Sequence, residues 1–359
     1  MKTSPPPALL TPLALLAFSL AAFAALAAFA PGACFAADAT PDSASIPTIR
    51  PTIRLADVRL RDCCVLADEK TQTYYLVSST GRRGPNNRPA VVQYTSKDLV
   101  NWTGPRVVFE IPKDFWAQKG IWAPELHAYR GKYYLFLTFD TNTPLCEQWR
   151  DWRPRVKRGT QVLVADSPEG PFKPFGATPN RSTLPPDMMT LDGTLWVEDG
   201  VPYMVFCHEW VQIKDGTMNY VRLTDDLSAT IGEPRRMFHA SDAPWSMKSV
   251  ELGSSVTDGP WLHRTPSGKL LMLWSTGGAK GYTTGYAISN SGKLAGPWRQ
   301  SPKPLYDGAG GHAMMFRRLD DGKLMLILHT PNKPPDERAV IFEMEEERDS
   351  LRMGRRIGQ

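Results

Sequence analysis

Three aspartates in this sequence of 359 residues stand where their carboxyl groups could act together on one bond. Asp192 and Asp258 each precede a glycine, and Asp62 follows an arginine. Carboxylates that converge on one point repel each other, so at least one should hold a proton near neutral pH. Cleavage of a glycosidic bond requires a protonated acid, an ionised base and a third charge that keeps the acid's pKa raised. The competing interpretation is that aspartate before glycine only forms a turn.

The three aspartates belong to a sequence pattern that occurs five times. Each occurrence contains a short apolar run after a polar turn: Thr73-Tyr74-Tyr75-Leu76-Val77, Lys132-Tyr133-Tyr134-Leu135-Phe136, Pro202-Tyr203-Met204-Val205-Phe206, Lys269-Leu270-Leu271-Met272-Leu273 and Lys323-Leu324-Met325-Leu326-Ile327. An ionisable residue precedes the centre of each run by 9 to 13 positions, namely Asp62, Glu125, Asp192, Asp258 and His312. One such residue per repeat predicts a ring of ionisable side chains around an axis.

The elements that would position this ring are short strands. Each apolar run is followed by a second pair of short strands joined by a polar turn, and four strands per unit are typical of a propeller blade. We therefore predict an all-β, five-bladed β-propeller that forms a single domain over residues 54–350. Two stacked β-sandwiches are the alternative. Because neighbouring strands are antiparallel, the second strand of each blade ends on the face that bears the ring, and Glu209 lies at such an end.

The N-terminal segment predicts export. Residues 1–37 combine Lys2, an apolar stretch and small residues near a cleavage point, the pattern of a signal peptide. A membrane anchor and a lipid attachment at Cys34 are the alternatives. Residues 38–53 are rich in Pro, Ser and Thr and predict a linker. The protein is thus expected to be secreted or periplasmic, with no membrane association after cleavage.

The charge pattern argues against a nucleic-acid partner. Lys and Arg number 42 against 37 Asp and Glu, and no basic run is interleaved with aromatic residues. The basic run at 153–158 is interpreted as a solvated loop. Two long insertions, at 140–159 with Trp149 and Trp152 and at 240–255 with Trp245, are predicted to wall a cleft.

The motifs around these residues resemble glycoside hydrolase family 43 over about residues 55–346. The resemblance depends on five motifs, Arg61-Asp62, Trp122-Ala123-Pro124-Glu125, Leu191-Asp192-Gly193-Thr194-Leu195-Trp196, Asp258-Gly259-Pro260 and Gly311-His312. It implies a five-bladed propeller that hydrolyses arabinose- or xylose-containing polysaccharides with inversion and requires no cofactor. It also implies roles for the aspartates: Asp62 as general base, Asp192 as the residue that modulates the acid's pKa, and Asp258 as general acid.

The fourth motif departs from the family, whose acid is normally glutamate. Asp258 is one methylene shorter, which withdraws its proton by about 1 Å, and a displacement of that size can cost a hundredfold in rate. Glu209 is therefore a second candidate for the acid. Its competing interpretation is a salt bridge to a neighbouring loop.

Four further residues are candidates for binding. Trp122 could stack on a sugar ring, although core packing explains a tryptophan almost as well. Glu125, in the same motif, is a second candidate contact to substrate. Arg338 resembles a family arginine that binds the terminal sugar. His312 resembles a histidine that lies near a central water or Ca²⁺ in relatives, although Ca²⁺ prefers oxygen ligands.

These observations predict an inverting glycoside hydrolase of the α-L-arabinofuranosidase, β-xylosidase or endo-arabinanase type. Its substrate would be a plant oligosaccharide or polysaccharide, and the protein would act as a monomer. Two alternatives stay open: a catalytically weakened sugar-binding propeller, suggested by Asp258, and a propeller glycoside phosphorylase, which would need Arg, Lys and His beside the base.

Overall fold

The computed structural model describes residues 52–79, 81–141, 157–249 and 253–358, and in these residues the protein is almost entirely β. The strands form five antiparallel sheets, as predicted for a five-bladed propeller. Within the described residues, the only helical elements are a four-residue α-helix, α1 (Trp210–Ile213), and two 3₁₀ turns at Leu55–Asp57 and Ala240–Asp242. No helix in those residues is long and apolar enough to span a membrane.

Each blade is built from one continuous stretch of chain. The first contains β1 (Thr52–Ile53), β2 (Cys64–Asp68), β3 (Thr73–Ser78), β4 (Ala90–Ser96) and β5 (Trp102–Glu110); the second contains β6 (Gly120–Tyr129), β7 (Lys132–Asp140) and β8 (Arg158–Ala165). The third contains β9 (Thr190–Glu198), β10 (Val201–His208), β11 (Thr217–Leu223) and β12 (Thr230–His239). The fourth contains β13 (Asp258–Arg264), β14 (Leu270–Gly278), β15 (Gly281–Ser289) and β16 (Trp298–Gln300), and the fifth β17 (Gly311–Arg317), β18 (Leu324–Thr330), β19 (Arg338–Glu346) and β20 (Leu351–Ile357).

The innermost strands close the ring. Strand β2 packs against β6, β6 against β9, β9 against β13, β13 against β17, and β17 returns to β2. The predicted apolar runs form the second strands, β3, β7, β10, β14 and β18, whose side chains are mostly buried on both faces between blades. Burial on both sides explains why these runs are continuously apolar rather than alternating.

The propeller extends past both ends of the predicted 54–350 span. Strand β1 pairs with β5, and β20 forms the outer edge of the fifth blade. The sequence of β20 contains three arginines among seven residues and lacks the continuous apolar run of the second strands. The predicted signal peptide, most of the predicted linker, Trp149 and Trp152 lie outside the described residues.

Trp245 of the second insertion does not wall a cleft. It is buried, its ring centroid lies 4.7 Å from that of Trp274, and its indole N–H donates to the Ser301 carbonyl at 3.1 Å. Trp245 therefore contributes to the apolar core between the third and fourth blades.

One residue with left-handed backbone conformation stands at the entry to every innermost strand. These residues are Asp62, Ala123, Asp192, Gly259 and His312, with φ values of 48°, 41°, 54°, 53° and 53°. In the last four blades the pairing register shifts next to this residue, which marks a β-bulge. The bulge is thus the true equivalent position of the repeat, and it differs from the predicted one in two blades: Glu125 lies two residues after it and Asp258 one residue before it.

The first and last blades meet without sharing a strand. The Leu60 N–H donates to the Glu337 carbonyl at 3.1 Å, and the Leu319 N–H donates to the Tyr74 hydroxyl at 2.7 Å. The carboxylate of Glu337, which is fully buried, accepts hydrogen bonds from the guanidinium of Arg59 at 3.0 and 3.3 Å. A backbone hydrogen bond, side-chain hydrogen bonds and the packing of β17 against β2 therefore hold the ring closed without a shared strand.

Candidate active site

A cavity of about 210 Å³ opens on the face of the propeller at which the innermost strands begin. Its wall brings together six residues singled out in the sequence: Asp62, Trp122, Asp192, Glu209, Asp258 and His312. Arg61, Thr138, Arg158, Leu191, Trp210 and Val211 complete the wall. All five blades contribute to it. Four carboxyl groups in one small cavity must differ in protonation, because they cannot all be charged at short range.

Asp62 is held in the ionised form. It is buried, which alone would raise its pKa, but nearby positive charge lowers the pKa below its ordinary value. The Arg61 guanidinium lies 3.4 Å from one carboxylate oxygen. Nδ1 of His329 accepts a hydrogen bond from the Asp62 backbone N–H at 3.2 Å. The single ring proton of this neutral histidine therefore lies on Nε2, which donates it to the side-chain oxygen of Asn332. These contacts fix both the charge and the orientation of the carboxylate.

Asp192 is in the opposite state. Burial raises its pKa well above the ordinary value, and the negative charges of Asp258 and Asp62 raise it further. One of its oxygens accepts the Gly259 N–H at 3.0 Å, and its own N–H donates to the Thr138 hydroxyl at 2.9 Å. The fourth-blade bulge therefore binds the third-blade aspartate directly.

His312 lies between these two carboxylates. Its Nδ1 is 3.5 Å from Asp62 and 3.8 Å from Asp192. Burial lowers the pKa of His312 to about 4, so the imidazole is neutral at neutral pH and Arg61 supplies the charge that keeps Asp62 ionised. The other ring nitrogen, Nε2, is buried without a hydrogen-bond partner within the described residues.

These surroundings do not fit a Ca²⁺ site. Calcium takes six to eight oxygen ligands, whereas His312 offers nitrogen. In the part of the chain that the structure describes, no group of three or more His, Cys, Asp or Glu residues could hold a metal ion. The orphaned Nε2 fits a hydrogen bond to a water molecule or a sugar hydroxyl.

Asp258 is half-buried at the start of β13, and its pKa is raised to about 7. Burial is the main cause, and the negative charge of Asp62 adds to it. The Tyr282 hydroxyl donates to one Asp258 oxygen at 3.0 Å, which favours the ionised form and limits the rise. A carboxyl group with this pKa is protonated in about half of the molecules at neutral pH.

Glu209 follows β10 and immediately precedes α1, and it is fully buried. Burial raises its pKa to about 7, against the opposing effect of a short ion pair between its Oε1 and Arg158. The same guanidinium donates to Asp140 at 2.6 Å, so one cation serves two carboxylates. The other oxygen, Oε2, has no hydrogen-bond partner within the described residues. Both interpretations of Glu209, acid and salt bridge, thus have a structural counterpart.

Trp122 stands at the rim of the cavity and is 42% exposed. Its indole N–H donates to Asp140 at 2.6 Å, and the Arg158 guanidinium lies 5.1 Å from the ring centroid. Two contacts therefore fix an exposed aromatic ring beside the carboxyl groups, the arrangement that sugar stacking needs.

Two predicted contacts lie elsewhere. Glu125 is buried and bonded to His127 Nε2 at 3.0 Å, and neither residue lines the cavity. Arg338 donates from its guanidinium to the carbonyls of Ala56, Pro335 and Glu337, and it does not line the cavity either.

Several residues of the site had no role in the sequence interpretation. Arg158 was placed in a solvated basic run, but it is buried and neutralised by Asp140 and Glu209. Its signal was its position at the start of a strand, opposite Asp140 in the register. Tyr282 gave no signal, because only the tertiary structure shows that it contacts Asp258. His329 lies at the end of a second strand, a position predicted to be on the face that bears the ring, but its contact with Asp62 appears only in the structure.

Comparison with known proteins identifies the family. The model of glycosyl hydrolases family 43 matches residues 55–349. An endo-arabinase structure from Bacteroides thetaiotaomicron VPI-5482 superposes with a TM-score of 0.73 and 40% identity, covering 83% of this chain and 99% of that one. The structure of an α-L-arabinofuranosidase from Lactobacillus brevis has a TM-score of 0.65 at 18% identity, covering 84% of this chain and 98% of that one, and shows the shared fold.

Two curated relatives match about half of the chain. Alpha-L-arabinofuranosidase B of Pyricularia oryzae (strain 70-15 / ATCC MYA-4617 / FGSC 8958) is 25% identical over 193 residues, 52% of this chain and 36% of its own length. The extracellular exo-alpha-(1->5)-L-arabinofuranosidase of Streptomyces chartreusis is 25% identical over 195 residues, 52% of this chain and 53% of its own length. These matches span about a third and about half of the relatives' lengths. With the family model matched over nearly the whole propeller, the chain belongs to glycosyl hydrolases family 43.

Proposed function

We propose that this protein is an inverting glycoside hydrolase that acts on arabinose- or xylose-containing oligosaccharides and polysaccharides. The observation that carries the proposal is the division of carboxyl groups in one cavity. The pKa of Asp62 is lowered, whereas the pKa values of Asp258 and Glu209 are raised to about 7. Titratable groups whose environments push their pKa values apart are the acid and the base of such a reaction.

Asp62 is the proposed general base. It stays ionised because the positive charge of Arg61 offsets the effect of burial on its pKa. Its fixed orientation lets it accept a proton from an attacking water. The base and the acid must act from opposite faces of the sugar ring for inversion, with a water between the base and the anomeric carbon.

Asp258 is the proposed general acid. Its position before Gly259 matches the family motif, it lines the cavity, and burial together with the charge of Asp62 keeps it partly protonated. Tyr282 orients the carboxyl group through one oxygen, which leaves the other for the leaving group. Glu209 remains the competing candidate, because its unpartnered Oε2 and raised pKa are also features of a proton donor.

The remaining residues support these two. Asp192, whose own raised pKa favours its protonated form, supports the acid by accepting the Gly259 N–H beside it, which holds the fourth-blade bulge in place. Trp122 offers an exposed ring on which a sugar can stack.

The relatives support the substrate class. The solved structure at 40% identity is an endo-arabinase, and both curated relatives are arabinofuranosidases. Nothing in these matches favours a sugar-binding module or a phosphorylase. The basic residues beside Asp62 do not favour phosphate binding either. His312 and His329 have lowered pKa values and are therefore neutral at neutral pH, and Arg61 is already paired with Asp62.

We further propose that the protein is exported and acts as a monomer. The signal-peptide pattern of residues 1–37 and an extracellular relative support export. Residues 38–53 would then link the cleaved N-terminus to the propeller.

Purified protein tests the proposal directly. We expect release of nitrophenol from nitrophenyl α-L-arabinofuranoside or β-xyloside, or of oligosaccharides from linear arabinan. Proton NMR during the first minutes should show the product with the anomeric configuration opposite to that of the substrate. Retention of configuration would refute the inverting mechanism, and binding without turnover on every substrate would favour the sugar-binding alternative.

A further inference from the structure

A second cavity of about 520 Å³ adjoins the catalytic one. The two share Arg61, Asp62 and Trp122 in their walls, so a saccharide chain that leaves the first cavity past these residues enters the second. Nothing in the proposed mechanism uses the rest of this wall, which contains Arg59, Arg82, Arg83, Lys119, Asp140 and Glu337 among its members.

Every carboxylate of this wall already has a cation. Glu337 pairs with Arg59 at 3.0 Å, Asp62 with Arg61 at 3.4 Å, and Asp140 with Arg158 at 2.6 Å. Within each pair the opposite charges compensate each other. The pairs use two of the five cations in the wall, Arg59 and Arg61, because Arg158 lies outside it.

The other three cations have no carboxylate within 4.0 Å in the described ranges. They are Arg82, Arg83 and Lys119, all exposed. Arg83 donates one hydrogen bond to the Asn87 carbonyl at 2.7 Å, which leaves most of its five donors free, and Arg82 lies near the Tyr94 hydroxyl. The wall of the second cavity therefore has five cations against three carboxylates, an excess of two positive charges beside the site of bond cleavage, and its three unpaired cations are all exposed.

From this charge excess we propose that the second cavity binds a uronic acid residue of the substrate through its carboxylate. Arginine suits this ligand because its planar guanidinium binds a carboxylate through two parallel hydrogen bonds. The enzyme would then prefer acidic saccharides, in which an arabinose or xylose unit adjoins a uronate, over neutral ones. This inference rests on the proposed hydrolase function and names the substrate class of the same site.

The first test compares two oligosaccharides that differ only in a carboxylate on the sugar next to the cleaved bond. At low ionic strength, kcat/KM should be about tenfold higher for the acidic one, the value of one charge-assisted hydrogen bond. The preference should fall towards one in 1 M NaCl, where the Debye length is about 3 Å. Equal kcat/KM values at low salt, or a preference that salt does not change, would overturn the inference.

Variants assign the preference to these cations. The double substitution Arg82→Ala with Lys119→Ala should lower the ratio of acidic to neutral kcat/KM about tenfold, and Arg82→Lys should retain part of it because charge remains without the planar fork. Lys113→Ala is the matched control, because this exposed lysine lines neither cavity. A ratio that the double variant leaves intact would refute the assignment.

A binding measurement separates this inference from the hydrolase proposal. If neither oligosaccharide is cleaved, the hydrolase proposal fails, and calorimetry on Asp62→Asn decides the charge question alone. Tighter binding of the acidic oligosaccharide supports the uronate site, and equal binding overturns it. Inorganic phosphate serves as the third ligand. If phosphate binds and the two oligosaccharides bind equally well, the cations form a site for a free anion and not for a uronate.

Discussion

Asp62 is the residue on which the proposed chemistry depends most. We expect Asp62→Asn to lower kcat by about 10²–10⁴-fold, because an amide keeps the shape of the carboxylate but cannot take a proton from water. Binding of arabino-oligosaccharides, measured by calorimetry, and the melting temperature should stay close to those of the unmodified protein. Retention of most of the turnover would remove Asp62 from the mechanism.

The identity of the acid can be read from leaving-group dependence. If Asp258 donates the proton, Asp258→Asn should slow substrates with poor leaving groups far more than activated aryl glycosides, which scarcely need protonation. Glu209→Gln serves as the paired variant and should show no such dependence. The reverse pattern would assign the acid to Glu209, whose Oε2 is free to donate.

Tyr282 gives an independent test through pH. The acid must be protonated, so kcat/KM should decline as pH rises through the pKa of Asp258, about 7. The Tyr282 hydroxyl favours the ionised form of Asp258, so Tyr282→Phe should raise that pKa and move the alkaline limb to higher pH. Tyr306→Phe is the control, since this hydroxyl bonds to Thr330 outside both cavities and should leave the limb in place. An unmoved limb in Tyr282→Phe would argue that Asp258 is not the titrating acid.

Among the structural elements, the bulge at the entry to each innermost strand determines where the side chains point. Gly259 occupies this position in the fourth blade with φ of 53°, and a Cβ there would lie 3.0 Å from the His312 ring. Gly259→Ala should therefore cost about 1–3 kcal/mol in the free energy of unfolding and displace His312.

Gly268→Ala is the matched control for this prediction. Gly268 also has positive φ, 87°, but a Cβ there would meet nothing within 4 Å. Its cost should be backbone strain alone, about 1 kcal/mol. Urea unfolding curves of both variants test the difference. Equal decreases in the free energy of unfolding would show that the close contact with His312 does not affect stability.

The bulge also explains how far the sequence could predict the site. The apolar runs and their polar turns indicated five blades, because both faces of each second strand are buried between neighbours. Spacing alone could not locate the bulge to the residue, so Glu125 was placed with the aspartates although it pairs with His127. Tyr282 was beyond prediction, because its partner Asp258 lies 24 residues away along the chain. The position of Arg158 opposite Asp140 was a signal, but its contact with Glu209, 51 residues away, could not be inferred from spacing.

At the scale of the whole molecule, the ring depends on the junction between its first and last blades. Glu337 is fully buried there and pairs with Arg59, with Arg61 3.6 Å away. Glu337→Gln should lower the free energy of unfolding by about 3 kcal/mol, because the arginines lose the charge that compensates them. It should also lower kcat, since Arg61 orients Asp62.

Asp199→Asn provides the comparison for the junction. Its ion pair with Lys293 joins the third and fourth blades but is exposed, so its loss should change stability by no more than about 0.5 kcal/mol. Thermal unfolding and kcat, measured for both variants, distinguish the effect of the buried junction from that of an exposed ion pair. Similar small effects in both would mean that the strands alone keep the ring closed.

This junction bears on when the enzyme becomes competent during its synthesis. The ribosome makes Asp62 first among the proposed catalytic residues, yet its orientation depends on His329 and its flanking Arg61 binds Asn332, both from the last blade. A nascent chain with four finished blades would hold three of the carboxyl groups in place and still lack an oriented base. Turnover should therefore begin only once the fifth blade has docked, so chains arrested before residue 311 should bind sugars poorly and hydrolyse none.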